Sequence, residues 1–185
     1  MILCWPVYVP MFLGRSGPGM DRQRQDPSSR FGIVLQYAGS ALIWIWRRPL
    51  FTPLASFPMP LSFAVPAAAV IIAIGSVWFS RLALKTLGRQ WSFVAGVTSQ
   101  HKLIQEGPYA VIRHPLYACF FALTLATGMV WAEPLGLLAG SVVFWIGVWI
   151  RVRTEENLLR ETFGLEFERY VKNVPAFFPM PRRQR

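Results

Sequence analysis

Acidic residues are scarce. The 185-residue chain has 9 Asp+Glu against 19 Lys+Arg, a formal charge of +10. Charged residues make up only 15% of it and hydrophobic residues 54%, whereas a soluble domain carries about 25% charged residues. The polar surface of an ordinary soluble domain is missing, and so apolar a chain is not disordered. Two cysteines, Cys4 and Cys119, exclude a disulfide scaffold and a cysteine-rich zinc site. Lysine is nearly absent, with Lys85, Lys102 and Lys172 the only ones. There is no G-x-G-x-x-G turn, no Ser-His-Asp set, no Cys/His cluster for a metal and no motif that reads DNA or RNA. The length suits one compact unit.

Charge is also missing from long stretches. Pro49–Ser80 has none, and Leu116–Ile150 has only Glu133. Leu61–Phe79 is long enough to cross about 30 Å of hydrocarbon at about 1.5 Å per residue. Leu116–Trp131 and Leu135–Ile150 are two shorter apolar runs joined by Ala132-Glu133-Pro134, the pattern of a helical hairpin. Phe31–Trp46 is apolar except for Gln36 and Ser40. These runs predict an all-α integral membrane protein with four clear transmembrane helices, or five if Met1–Gly14 forms a short first span. Met1–Gly14 also suits an interfacial piece, and it lacks the basic start of a signal peptide. The chain divides into an apolar N-terminal segment with a basic linker (1–30), two transmembrane helices (31–80) and a C-terminal region (81–185) holding the hairpin 116–150. The arginines set the orientation: Arg15–Arg30, Arg81–His114 and Arg151–Arg185 are expected in the cytoplasm. Arg47 and Arg48 fall on the other side. The basic excess then faces an anionic leaflet, with no need for nucleic acid.

The polar stretches Thr86–Tyr117 and Ile150–Pro181 flank the hairpin, so both meet at one membrane face. A pocket there suits a polar cofactor beside the bilayer. Pro115 opens the first hairpin helix directly after Arg113-His114, and that helix start offers free N–H groups to a carboxylate. Arg151, Glu155 and Leu159 share one helix face at i, i+4 and i+8. Taken singly, these residues have plain readings. His114, Tyr109 and Tyr117 suit interfacial anchors, and Arg151–Glu155 suits a solvated pair. After Gly164, Leu165–Val171 reads as a short amphipathic helix.

The combination is more specific. The order is H-x-L-I-x-x-G-P-Y-x-x-I-R-H-P-x-Y, an apolar hairpin, then R-x-x-x-E-E-x-x-L-x-x-x-F-G and a late proline. From Leu87 to Pro181 this resembles the isoprenylcysteine carboxyl methyltransferase family and its relatives, the membrane phospholipid methyltransferases. The resemblance implies a small membrane enzyme that uses S-adenosylmethionine in a cytoplasmic pocket, with a lipid acceptor entering from the bilayer. By position it implies that His101, Lys102, Leu103 and Ile104 form a strand-like segment lining the cofactor. It adds Tyr109, His114, Pro115, Leu116 and Tyr117 as further contacts. Glu155 is implied as a cofactor ligand, supported by Glu156, and Arg151 as the residue that orients the acceptor. A glutamine that one family member carries upstream of the histidine has no clean counterpart, although Gln90 and Gln100 lie nearby. No metal is expected.

Methyl transfer needs acceptor, methyl and sulfur in line with water excluded. A carboxylate acceptor is ionised at pH 7 and needs a cation to place it, a task for Arg151. An amine acceptor needs a base, for which Glu155 or Glu156 would serve. Transfer to an isoprenylcysteine-like carboxylate is therefore the first reading, and N-methylation of a phospholipid or small lipid amine the alternative. Two further readings remain: a sterol-reductase-like NADPH enzyme, and a membrane protein that keeps the fold without activity.

Overall fold

Proline placement and apolar run length decide the helix boundaries. In the computed structural model, residues 3–12, 22–25, 28–49, 59–88, 96–98 and 102–179 are described. They form six helices: α1 (Cys4–Tyr8), α2 (Ser28–Ile45), α3 (Met59–Leu87), α4 (Pro115–Trp131), α5 (Pro134–Phe163) and α6 (Leu165–Asn173). Short 3-10 turns cover Val9–Met11 and Gly107–Ala110. An antiparallel ribbon pairs β1 (Arg22–Gln25) with β2 (Gly96–Thr98). Pro115 and Pro134 each occupy the first turn of a helix, where a missing N–H costs nothing.

Two helices, Phe63–Leu87 within α3 and the whole of α5, are long and apolar enough to cross a membrane. The expected count was higher. α4 is apolar but only 17 residues long, and α2 has 18 residues diluted by Gly32, Gln36, Gly39 and Ser40. The link between α4 and α5 is Ala132-Glu133, while Pro134, expected in the link, opens α5. The two arms nevertheless lie mainly against other helices, α4 along α3 and α5 along α2. α5 also runs without a break from the apolar part ending at Ile150 through the polar turns from Arg151 to Phe163. The Glu-Glu motif thus rides on the same rigid rod as the apolar run.

The α2–α5 seam is built from glycine. Buried residues on α2 recur as Ser29, Gly32, Gln36, Gly39 and Ile43, and on α5 as Gly136, Gly140, Phe144, Gly147, Arg151 and Thr154. That 3-4 spacing is the pattern of a supercoiled seam. A Cβ at Gly39 would lie 2.5 Å from the Gly140 carbonyl oxygen, and one at Gly147 2.6 Å from the Gly32 carbonyl oxygen. The backbones touch directly, the close approach that small residues permit between apolar helices. Gly136 and Gly140 take part in the same close packing, against Trp46 and Gly39.

α1 wedges in where the two helix pairs meet. Tyr8 is buried with Ala69 and Ala73 of α3 and Leu123 and Ala126 of α4. Trp5 donates its indole N–H to Thr127 Oγ1 at 3.1 Å and packs edge-on against Trp44 of α2 and Phe120 of α4. The N-terminal residues 4–12 therefore belong to the packed fold.

Arg47 and Arg48, misplaced by the charge rule, hold the far end together. The Arg48 guanidinium donates to the Met129 carbonyl at 3.0 Å, and its backbone N–H donates to Trp131 O at 3.0 Å. Glu133 N–H donates to Trp46 O at 2.8 Å. The two Arg48 bonds satisfy carbonyls that the end of α4 leaves without helical partners.

Candidate functional site

At the opposite end, three segments converge: the run from Gly107 to Tyr117, the polar turns of α5, and α6 with the strap Val174–Phe177 that follows it. Gly107, at φ +57°, makes the turn that a side-chain-bearing residue would strain. The 3-10 turn Gly107–Ala110 then buries Pro108 and Tyr109. Tyr170 of α6 donates its hydroxyl to the Tyr109 carbonyl at 2.6 Å, which docks α6 on this turn. Burial pushes the Tyr170 hydroxyl up to about 12 and raises that of Tyr109 further, with the Glu155 charge adding to the latter. Both phenols stay protonated at neutral pH.

The strap pairs with the residues just before α4. Arg113 N–H donates to Pro175 O at 2.9 Å and His114 N–H to Ala176 O at 3.0 Å. Phe177 then lies 5.8 Å, centroid to centroid, from the His114 ring and 4.9 Å from Trp145. Arg113 ties all three segments together. Its Nε and Nη2 donate to Glu156 Oε1 at 3.0 and 2.9 Å. Its Nη1 donates to Val171 O at 3.3 Å and also to Val174 O.

The two carboxylates have different surroundings. Glu156 also accepts from His114 Nε2 at 3.0 Å. Partial burial opposes its ionisation, but the hydrogen bonds and charges of His114 and Arg113 outweigh that and hold its carboxyl down at about 2. A carboxylate so weakly basic is a structural anion and a poor proton acceptor. Glu155 accepts from the Tyr117 hydroxyl and pairs with Arg151 Nη2 at 3.5 Å. Its second oxygen faces His114 Nδ1 at 3.8 Å, and a quarter of its side chain stays accessible. The Arg151 guanidinium lies 5.1 Å from the centroid of the Tyr117 ring and is almost fully buried. His114 thus stands between the two carboxylates, one ring nitrogen toward each.

Five of the residues expected at the site, His114, Tyr117, Arg151, Glu155 and Glu156, form this connected cluster. Pro115 and Leu116 sit with them in the first turn of α4. Tyr109 is one step away, through its neighbour Glu155. Leu103 packs instead with the α6 cluster of Phe167, Tyr170 and Val174. Lys102 is exposed and Ile104 half-buried. Lys102–Ile104 form no strand; the strand in this region is β2, Gly96–Thr98. His101, Gln90 and Gln100 lie outside the described residues. Sequence reasoning missed Arg113, counted only as a topology charge, and Phe177. The R-H-P string itself was the signal for Arg113, since the residue beside a buried histidine at a helix start faces the same partner helix. Among the described residues no group of three His, Cys, Asp or Glu is placed to hold a metal.

An open apolar groove of about 610 Å³ runs beside the cluster, lined by Phe121, Ser141, Val142, Trp145, Ile146 and Trp149. Phe121 lies one turn after Tyr117 on α4, and Trp145 touches Phe177. Phe177, between His114 and Trp145, links the polar cluster to the groove.

Residues 68–161 match the model of the isoprenylcysteine carboxyl methyltransferase (ICMT) family. A probable protein-S-isoprenylcysteine O-methyltransferase of Oryza sativa subsp. indica is 36% identical over 112 residues, 60% of this chain and 58% of the rice protein. The protein-S-isoprenylcysteine O-methyltransferase of Schizosaccharomyces pombe is 39% identical over 80 residues, 43% of this chain and 34% of that protein. The nickel-cobalt-cadmium resistance protein NccN of Alcaligenes xylosoxydans xylosoxydans is 32% identical over 115 residues, 60% of this chain and 51% of that protein. The matches thus span under two thirds of these relatives' own lengths. The family match covers just over half of the chain and takes in α4 and the α5 motif that carry the cluster, and on that ground the chain belongs to the isoprenylcysteine carboxyl methyltransferase family.

Proposed function

We propose that this chain is a multi-pass membrane enzyme that methylates the carboxylate of an S-prenylated cysteine, with S-adenosylmethionine as donor and the site on the cytoplasmic face. One observation carries the reading: Glu155 is held by both Tyr117 and Arg151 at the point where α5 leaves its apolar run, beside an apolar groove. The family and the names of the rice and yeast relatives support the same chemistry. In this reading α2 and α4 cross the bilayer together with α3 and α5, giving four spans.

The cluster fits the donor. A part-exposed carboxylate oxygen of Glu155 suits an ammonium or a ribose hydroxyl. The N–H groups of Leu116 and Tyr117, in the first turn of α4, have no intrahelical acceptor and suit a carboxylate. The rings of His114 and Tyr117 supply flat apolar faces. Bound S-adenosylmethionine supplies a methyl group already activated by its sulfonium. Tyr109 and Glu156 support these contacts from behind, as do Lys102, Leu103 and Ile104 along the preceding segment. Arg151 orients the acceptor carboxylate, since a planar guanidinium fork matches the geometry of a carboxylate. Phe177 and Trp145 exclude water where the groove meets the cluster. Transfer leaves a methyl ester and S-adenosylhomocysteine, and no proton must be removed.

The carboxylates also favour this acceptor over a lipid amine. An amine needs a base, yet Glu156 is held near pKa 2 by Arg113 and His114, and Glu155 already serves Tyr117 and Arg151. The test is calorimetric binding of S-adenosylhomocysteine to the detergent-purified chain, followed by transfer to N-acetyl-S-farnesylcysteine. Micromolar binding lost in Glu155→Ala, with transfer lost but binding kept in Arg151→Ala, is the expected result. A folded chain that binds no S-adenosylhomocysteine overturns the proposal.

A further inference from the structure

The glycine seam contains two long polar side chains. One is Arg151 and the other is Gln36, each on the buried stripe of its helix. Gln36 is 2% exposed, and its Nε2 has no hydrogen-bond partner among the described residues. An amide donor left unpaired in so apolar a bundle is costly, about 1–3 kcal/mol. Polar residues kept among apolar helices mark binding sites more often than packing.

The seam fixes where Gln36 stands relative to Arg151. A Cβ at Gly32 would lie 2.5 Å from Arg151 Cγ, and one at Gly147 would lie 2.9 Å from Gln36 N. Gly32 precedes Gln36 by one turn, and Gly147 precedes Arg151 by one turn, on helices running in opposite directions. Gln36 is therefore about one turn, roughly 5.4 Å, deeper into the apolar part of the bundle than Arg151.

We infer that Gln36 is a second acceptor-binding residue, donating its amide N–H to a carbonyl of the acceptor while Arg151 holds the carboxylate. This rests on the proposed function and deepens it by assigning the residue that reads the acylamino group beside the acceptor's carboxylate, as at the end of a prenylated peptide. A simple fatty carboxylate lacks the second group. Gln36 and Arg151 read the two polar groups of a C-terminal residue.

The test compares two acceptors on the full chain in detergent. N-acetyl-S-farnesylcysteine carries the acylamino group, and 3-(farnesylthio)propanoate keeps the carboxylate and thioether but lacks it. Gln36→Leu should raise KM for the first about ten-fold, the value of one lost hydrogen bond, and leave KM for the second and S-adenosylhomocysteine affinity unchanged. Gln36→Met serves the same purpose with a straighter side chain. Removing an unpaired buried amide should not lower the melting temperature. Equal changes for both acceptors, or none for either, overturn the inference while leaving the methyltransferase reading intact. A wild-type chain that methylates neither acceptor overturns both.

Discussion

Arg113 is the residue whose loss should be felt furthest from its own position. Its guanidinium carries two bonds to Glu156 and two to carbonyls of α6 and the strap. In Arg113→Met the stem remains and every donor is lost. Glu156, only 15% exposed in its side chain, keeps His114 as a partner but loses its guanidinium. Breaking a fully buried ion pair costs about 3–5 kcal/mol. Both side chains here keep some water contact, so about 2–3 kcal/mol is the reasonable figure. That cost falls on the docking of 165–177 rather than on the α2–α5 seam, which Arg113 does not touch. It corresponds to a roughly 30- to 150-fold rise in local opening. Hydrogen exchange of peptides covering 165–179, in the detergent-solubilised chain, reads it directly. Arg113→Lys should recover only part of the protection, because one ammonium cannot span a carboxylate and two carbonyls in a planar fork. Exchange within two-fold of wild type in Arg113→Met, with Glu156 intact, would refute the assignment of Arg113 as the tie between the three segments.

Acid should loosen the same region. The Glu156 carboxyl is lowered from 4.5 to about 2, so its contribution is complete above about pH 4.5 and disappears as pH falls toward 2. The amount is at most about 3 kcal/mol. Glu156→Gln should flatten the acid dependence of tryptophan fluorescence in this window, and superimposable acid profiles would count against the linkage. Gly39→Ala places a methyl group 2.5 Å from Gly140 O and Phe144 N. It should cost about 1–3 kcal/mol by forcing the seam apart, seen as a lower midpoint in a thermal melt. Trp5→Phe removes the bond to Thr127 and should cost about 1 kcal/mol, the net worth of one hydrogen bond. A double-mutant cycle with Thr127→Val isolates that bond, and a coupling energy of zero would show that Trp5 contributes packing alone.

The site was legible where chemistry is local in sequence. R-H-P-L-Y and R-x-x-x-E-E lie on single helical turns, so spacing alone brings His114 near Tyr117 and Arg151 near Glu155. Their meeting across the α4–α5 link followed from the apolar run lengths. What was not legible depends on contacts between distant segments. Phe177 reads as an ordinary residue after a late proline until its strap pairs with Arg113 and His114. Arg48 reads as a topology violation until it is seen on the Met129 carbonyl. The hairpin pattern gave the boundaries of α4 and the start of α5 but not their partners, since an apolar surface does not specify which other apolar surface it meets. At α2 the glycines that let it press against α5 also dilute its hydropathy, so length and composition alone do not mark it as a span.

The pairing of α2 with α5 sets a schedule for how this chain is made. Roughly a hundred residues separate Gly39 from Gly140, and a ribosome adds about 5–20 residues per second. α2 therefore waits roughly five to twenty seconds for the helix whose glycines match its own. α3 and α4 arrive in that interval and pair with each other. Trp5 waits longer still than α2, because its acceptor Thr127 lies 122 residues away. A chain arrested or cut before α5 emerges presents a bare glycine stripe with a glutamine in its middle, the face that α5 covers in the finished fold.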